Sequence, residues 1–265
     1  MIFPSIFNDV IGPVMRGPSS SHCAASVRIG RLARDLMGAD IRQVTVQFDP
    51  QGALATTHTS QGSDLGLFGG LLGWETWDDR LVGSARAISE AGIDVCFQIC
   101  DYGAQHPNTY KLLLLGTRRR HEMMAITSGG GMVEIIAIDG MPVSICGDYY
   151  ETLIYAPGSA QAVAEYVAAR FQFDYLETHQ PSGSGGDSQG QIVEIKAQSH
   201  LPHELRDELQ ARFAVGEICR LSPVLPVLSR RDLTVPFLTA EEMLVASSRP
   251  TPLWELAIEY ETCRG

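Results

Sequence analysis

ETLIYAPGSAQAVAEYVAARF, residues 151–171, reads as a strand, a turn and a helix in immediate succession. Glu151–Ala156 is rich in β-branched and aromatic side chains, Pro157-Gly158 is turn chemistry, and Val163, Tyr166, Val167 and Phe171 recur on one helical face. Moving outward toward the C-terminus, DYLETHQ (174–180) and QIVEIKA (191–197) are two further strands. In the second, Val193, Ile195 and Ala197 alternate with Glu194 and Lys196. PHELRDELQARF (202–213) is a helix with Leu205, Leu209 and Phe213 inward, and EICRLSPVLPVL (217–228) begins with a closing strand.

The resulting order is βαββαβ, the ferredoxin-like split βαβ arrangement, over residues 147–228. Between its two middle strands lies PSGSGGDSQG (181–190), a glycine-rich stretch with neither GK[ST] nor a following helix. It reads as a hairpin end rather than a phosphate loop.

Residues 1–146 mix strands and helices differently. Ile29, Leu32, Ala33 and Leu36 fall on one face of a helix, and Val44, Val46 and Phe48 alternate as in a half-buried strand. A polar loop, TTHTSQGSD (56–64), leads into an apolar helix, LGLFGGLLG (65–73). IDVCFQI, TYKLLLLG and MVEIIAI are strands, and TSGGGM is a glycine turn. In the tail, residues 229–265, TAEE (239–242) is a capping box. TPLWELAIEY (251–260) then starts a helix with Leu253, Leu256 and Tyr260 in a stripe. A helix this short is marginal alone in water, so the tail is expected to dock on a partner or on a second copy of the chain. The fold class is therefore α+β, with a short helical tail.

Composition excludes several functions. The 265 residues carry a net charge of -11 with pI near 5.0, which argues against a nucleic-acid surface. Arg118, Arg119 and Arg120 form one tight basic run and read as a solvated turn. No stretch approaches the ~18 apolar residues of a membrane span. MIFPSIFNDVIGP has neither the basic start nor the cleavage site of a signal peptide, so a cytoplasmic location is expected. The two lysines, Lys111 and Lys196, lie outside any cofactor-type loop, which argues against pyridoxal phosphate. The six cysteines include no CxxC pair, so no metal centre is expected in this chain. Cys96 and Cys100 share a strand face but are spread over ~13 Å. All but Cys23 read as buried structural thiols.

Chemistry concentrates in three loops. GPSSSHC (17–23) puts Ser19, Ser20, Ser21 and His22 just before a helix. Hydroxyls there either cap the helix or, with its unpaired N–H groups and positive dipole end, form a socket for a carboxylate or phosphate. QHPNTY (105–110) places His106 and Asn108 before a strand, and SGGGM (128–132) offers backbone N–H groups at Gly129–Gly131.

The ordered set IGPVMRGPSSSH…RIGR, GSD…GGLLG, HPNT and SGGG…EI resembles the β subunit of the two-chain, iron–sulfur-dependent bacterial L-serine dehydratases over about the first 145 residues. Residues 147–228 look like the ACT-type regulatory domain of those subunits, and the tail is similar to the opening of the enzyme's α domain. The resemblance implies a lyase that dehydrates serine, or a related β-hydroxy amino acid, through aminoacrylate to a 2-oxo acid and ammonia. It implies an α-subunit partner whose cysteines hold a [4Fe–4S] cluster, with one open iron as Lewis acid. It also implies that Ser20 and Ser21 hold the substrate carboxylate, that His22, His106 and Asn108 line the cleft, and that Ser19, Asp64, Ser128, Gly129 and Gly130 complete the substrate-binding set.

One departure bears on the chemistry. The family's glycine loop reads KGHGTD, and its histidine is a favoured general base, whereas this chain reads TSQGSD with Gln61 there. Cys23 likewise replaces a family threonine. An amide cannot take the proton. His106 is the expected base, with His58 and His22 as the other candidates and Gln61 as a positioning group. The alternative is a regulatory, amino-acid-binding subunit with a degenerate site. In the ACT-like unit a ligand is expected at the first βα turn, Ala156–Ala160, and pairing of two copies through the sheet is a further possibility.

Overall fold

A computed structural model describes residues 4–10, 12, 14–181, 190–247 and 251–264. The glycine-rich stretch read as a hairpin end falls largely on 182–189, outside the described residues. After one short helical turn at Ile6–Val10, the elements are α1 (Ser20–Leu36), β1 (Gln43–Phe48), α2 (Leu54–Thr57), α3 (Ser63–Leu71), α4 (Ser84–Glu90), β2 (Asp94–Ile99), β3 (Thr109–Leu115), β4 (Arg120–Gly129), β5 (Met132–Ile138) and β6 (Met141–Ile145). The second half continues with β7 (Tyr150–Tyr155), α5 (Ala160–Ala168), β8 (Tyr175–His179), β9 (Ile192–Ala197), α6 (His203–Arg212), β10 (Ile218–Leu221), α7 (Ala240–Ala246) and α8 (Leu253–Arg264). The protein is α+β.

The first sheet has the order β2-β1-β3-β4-β5-β6, with β1 and β2 parallel and the other pairs antiparallel. β4 and β6 were not legible in the sequence. In β4 the inward residues are His121, Met123, Ala125 and Thr127, of which only Thr127 favours a strand, so its alternation of burial is imposed by β3 and β5 on either side. The basic run is also not a simple solvated turn. Arg119 forms an ion pair with Glu217 and donates to Leu36 O at 3.2 Å, and Arg120 opens β4.

The second sheet has the order β10-β7-β9-β8, antiparallel throughout, as the split βαβ reading requires. α5 and α6 cover one face, burying Val163, Val167, Leu205 and Leu209 against Ile154, Val193 and Ile195. Leu153, Ile192, Cys219 and Leu221 belong to the same core as Ile29, Leu32, Ile135 and Ile145 of the first half. The first core therefore continues past residue 147 onto one face of the second sheet, while α5 and α6 close a separate core on its other face.

The tail folds partly back on its own chain. Thr239 and Glu242 make the expected capping box. On α8, Leu256 and Tyr260 are buried, Phe237 packs on Tyr260 at 5.3 Å, and Glu261 accepts hydrogen bonds from Ser5 Oγ and, at 2.9 Å, from Ile6 N. The stripe expected to meet another molecule is thus split: two of its residues face the N-terminal segment, while Leu253 is exposed with Trp254 and Ile258. No helix among the described residues is long and apolar enough to cross a membrane.

Candidate functional site

The site is built on a close crossing of α1 and α3. A Cβ on Gly66 would lie 2.2 Å from Cys23 O, and one on Gly70 would lie 2.1 Å from Val27 O. Only glycine permits that approach, which explains the glycine-rich LGLFGGLLG. The partners advance together along both segments, so the helices run parallel and begin side by side. Ser19 N donates to Gln61 O at 3.2 Å and Pro18 packs on Gly62, joining the two starts directly. Two helix N-termini therefore aim their positive dipole ends at one corner, where Ser63 N of α3 already donates to His58 O at 2.8 Å and Asp64 occupies the first turn of α3.

At this corner the capping reading fails. α1 begins at Ser20, preceded by Ser19, whose hydroxyl makes no capping bond and instead meets His22 Nδ1 at 2.8 Å. The first turn has no acidic residue, and among the described residues the Ser20 and Ser21 hydroxyls have no partner. That is an arrangement able to receive an anion.

The turn from α2 into α3 supplies a histidine, the C-cap residue of α2, with a relay behind it. Thr59 Oγ1 donates to Asp64 Oδ2 at 2.9 Å and lies 3.3 Å from His58 Nδ1, while Asp64 Oδ1 is 3.5 Å from that nitrogen. With Thr59 donating to Asp64, its oxygen can accept from His58 Nδ1–H, leaving Nε2 unprotonated. The ring is held against Phe97 and Phe48, with centroids 5.0 and 5.1 Å away. Gln61 Oε1 is buried beside this corner without a hydrogen-bond partner, an unsatisfied acceptor.

His106 sits differently. Its Nδ1 accepts from Asn108 N at 3.2 Å, which places the proton of the neutral ring on Nε2 and makes that atom a donor. Its loop is tied to α2 through Ala53 N to Pro107 O at 2.9 Å and to β4 through Thr127 N to Asn108 O at 3.1 Å, which brings Asn108 beside Ser128. The β4–β5 turn reaches α1 where Arg28 Nη1 donates to Gly131 O at 2.5 Å, and Gly129 and Gly130 remain exposed. No hydrogen bond or ring contact joins His106 to His22, His58 or Gln61 among the described residues.

Sequence reading missed three residues here. Tyr110 OH meets Ser26 Oγ at 2.8 Å, locking β3 under α1. Arg28 is 1% exposed, its Nε and Nη2 have no hydrogen-bond partner, and burial pushes its pKa down to about 10. Its signal was a charge on the apolar face of a helix, between Val27 and Ile29.

On the second sheet, the Ala156–Ala160 turn borders a cleft of about 410 Å³, with Gly158 N donating to Gln191 Oε1 at 3.1 Å. A cleft of about 470 Å³ lies on the opposite face, beside Pro142–Ser144 of β6, where Lys196 pairs with the buried Glu151 at 3.0 Å and Glu194 at 3.2 Å and His179 bonds Glu194 at 2.6 Å. The thiols do not suit a four-iron cluster. All six cysteines are free, and the one group of metal-type donors among the described residues contains a single thiol, Cys219.

In this α+β fold two helix N-termini thus converge beside histidine, glutamine and serine side chains, a corner able to receive an anion. No family model matches the chain. It is 32% identical over 222 residues to the probable L-serine dehydratase, beta chain, of Bacillus subtilis (strain 168), covering 84% of this chain and 100% of that relative. It is 33% identical over 163 residues to the L-serine dehydratase, beta chain, of Peptoniphilus asaccharolyticus, covering 61% and 72% respectively. The chain belongs to the family of L-serine dehydratase beta chains, subunits of a lyase.

Proposed function

We propose that the chain acts with a cluster-bearing α subunit to eliminate water from L-serine or a related β-hydroxy amino acid, yielding a 2-oxo acid and ammonia. The observation that carries this reading is the convergence of α1 and α3, whose starts suit a substrate carboxylate held by backbone N–H groups with Ser20 and Ser21. The [4Fe–4S] cluster belongs to the partner in this reading, and no residue of this chain is assigned to it. The ACT-like unit is assigned residues 147–228, with an amino-acid ligand at its first βα turn and pairing of two copies through its sheet as its regulatory role.

In this scheme Gln61 accepts a hydrogen bond from the substrate ammonium. His58 replaces His106 as the preferred base, because its Nδ1 is backed by Thr59 and Asp64 while His106 presents a donor. His22, steered by Ser19, is assigned to the anion socket, and Asn108, Ser128, Gly129 and Gly130 are assigned to its far side. Anaerobic co-expression with a candidate α chain, followed by a screen of serine, threonine and larger analogues for 2-oxo-acid release, tests the proposal. A brown, cluster-loaded complex inert toward every substrate, with serine dehydration restored by Gln61→His alone, would replace it with the regulatory reading.

A further inference from the structure

Away from that corner, a second polar cluster is buried where the two sheets meet. His121 on β4 is 4% exposed and Cys219 on β10 is 1% exposed. Glu217 lies two residues before Cys219, so both side chains leave the chain on the same side. One ligand-type atom from each of the three residues lies within 4.8 Å of the others.

Their surroundings are ordered in a way that isolated polar groups do not need. Asp139 Oδ2 is 2.8 Å from His121 Nδ1 and accepts from Tyr155 OH at 2.6 Å, while Glu122 N donates to Oδ1 at 2.7 Å. An oriented carboxylate on Nδ1 holds the ring proton there and turns Nε2 away. Nε2 is buried, has no hydrogen-bond partner, and stands 3.3 Å from Glu217 Oε2. The other oxygen of Glu217 is held by Arg119. Thiol, imidazole and carboxylate, with a carboxylate behind the imidazole, are the donors and outer support of a zinc-type site.

We propose that His121 Nε2, Cys219 Sγ and Glu217 Oε2 bind one borderline divalent cation of the zinc class, with water as the fourth ligand, and so clip the first sheet to the second. Bond lengths of about 2.0–2.3 Å place tetrahedral ligands roughly 3.3–3.8 Å apart, a modest contraction from the present spacing. On binding, the Cys219 thiol becomes a thiolate and its proton passes to the buffer. The thiolate and the carboxylates of Glu217 and Asp139 balance the cation together with Arg119. Access runs through the cleft lined by Gly38, Ala39, Thr117, Arg119 and Glu217. A single thiolate suits one ion and not an iron–sulfur cluster, so the site is independent of the reaction proposed above.

The test uses the full chain, stripped with a chelator, with the exposed Cys96 and Cys263 changed to serine to remove background thiols. Cobalt(II) and zinc(II) alone are the probes, followed by absorption spectra, metal-to-protein ratio after dialysis, and thermal unfolding. The expected result is one equivalent bound, a near-ultraviolet thiolate-to-cobalt band, and a raised unfolding temperature. Cys219→Ala should abolish the band, and Asp139→Asn should weaken binding ~10–100-fold. Absence of the band in the otherwise unsubstituted chain, which needs no folding of a variant, overturns the proposal. So does its persistence in folded Cys219→Ala, or an imidazole NMR spectrum in which both His121 nitrogens stay protonated with zinc present.

Discussion

His58 and His106 differ in what their Nδ1 atoms do. Thr59 and Asp64 stand behind one, whereas the backbone of Asn108 donates to the other. General-base catalysis contributes typically ~10²–10⁴-fold, so in the reconstituted complex His58→Asn should lower kcat by that range while His106→Asn should act mainly on KM. Steady-state kinetics on serine checks the split, and the reverse pattern returns the base to His106. A different histidine reports on stability. His200 Nε2 meets Ser222 Oγ at 3.2 Å, its ring stands edge-on to Tyr150, and burial first, then Arg220 and Arg206, push its pKa down to about 4. The unfolded chain takes up a proton near pH 6.5 and the folded chain does not, so this contribution is complete above pH 6.5, falls as pH drops toward 4, and then levels. Allowing for solvent screening, the loss is about 2 kcal/mol. His200→Phe should flatten that part of the curve, measured as the difference in urea midpoints between pH 7 and 4.

At the scale of elements, the site depends on two helices whose backbones touch. Glycine within a helix costs up to ~1 kcal/mol relative to alanine, so an ordinary surface helix would gain from Gly70→Ala. Here the new Cβ would lie 2.1 Å from Val27 O, against backbone that cannot swing aside. The substitution should instead destabilise by ~1–3 kcal/mol or more, and by parting α1 from α3 it should also raise KM for serine in the complex. Gly83→Ala, whose Cβ meets nothing within 4 Å, is the control and should change stability by no more than ~0.5 kcal/mol. Denaturant unfolding of both variants decides the matter.

For the whole molecule, the exposed apolar groups of the tail lie together in sequence: Leu244 and Val245 on α7, Leu253, Trp254 and Ile258 on α8. α8 is anchored to the N-terminal segment through Glu261, so deleting the tail would also disturb Ser5 and Ile6. Point changes are the cleaner probe of the proposed α-subunit contact. Trp254→Glu with Ile258→Glu should weaken association with the α chain roughly 10-fold or more while leaving the unfolding temperature of the isolated chain unchanged. Unaltered affinity in a co-purification titration would place the α subunit elsewhere.

The pattern 151–171 and its continuation to 221 were legible because each strand and helix there carries its own period and its own turn residues, and local preference agrees with the final sheet. The polar motifs around Ser20, Gln61 and His106 were equally plain, as were the family they resemble and the capping box at Thr239. What local pattern lacked, tertiary structure supplied. β4 became a strand only between β3 and β5, since histidine, methionine, alanine and threonine have no common preference. The order among the histidines followed from which backbone and side-chain groups reached each Nδ1, and the meeting of His121 with Cys219 joined residues almost a hundred positions apart. The fate of the tail's stripe was decided in the same way, by the N-terminal segment that happened to reach Leu256 and Tyr260. Short-range periodicity encodes faces and turns, whereas protonation, metal-type clustering and partial burial depend on groups brought together across the chain, which no local window contains.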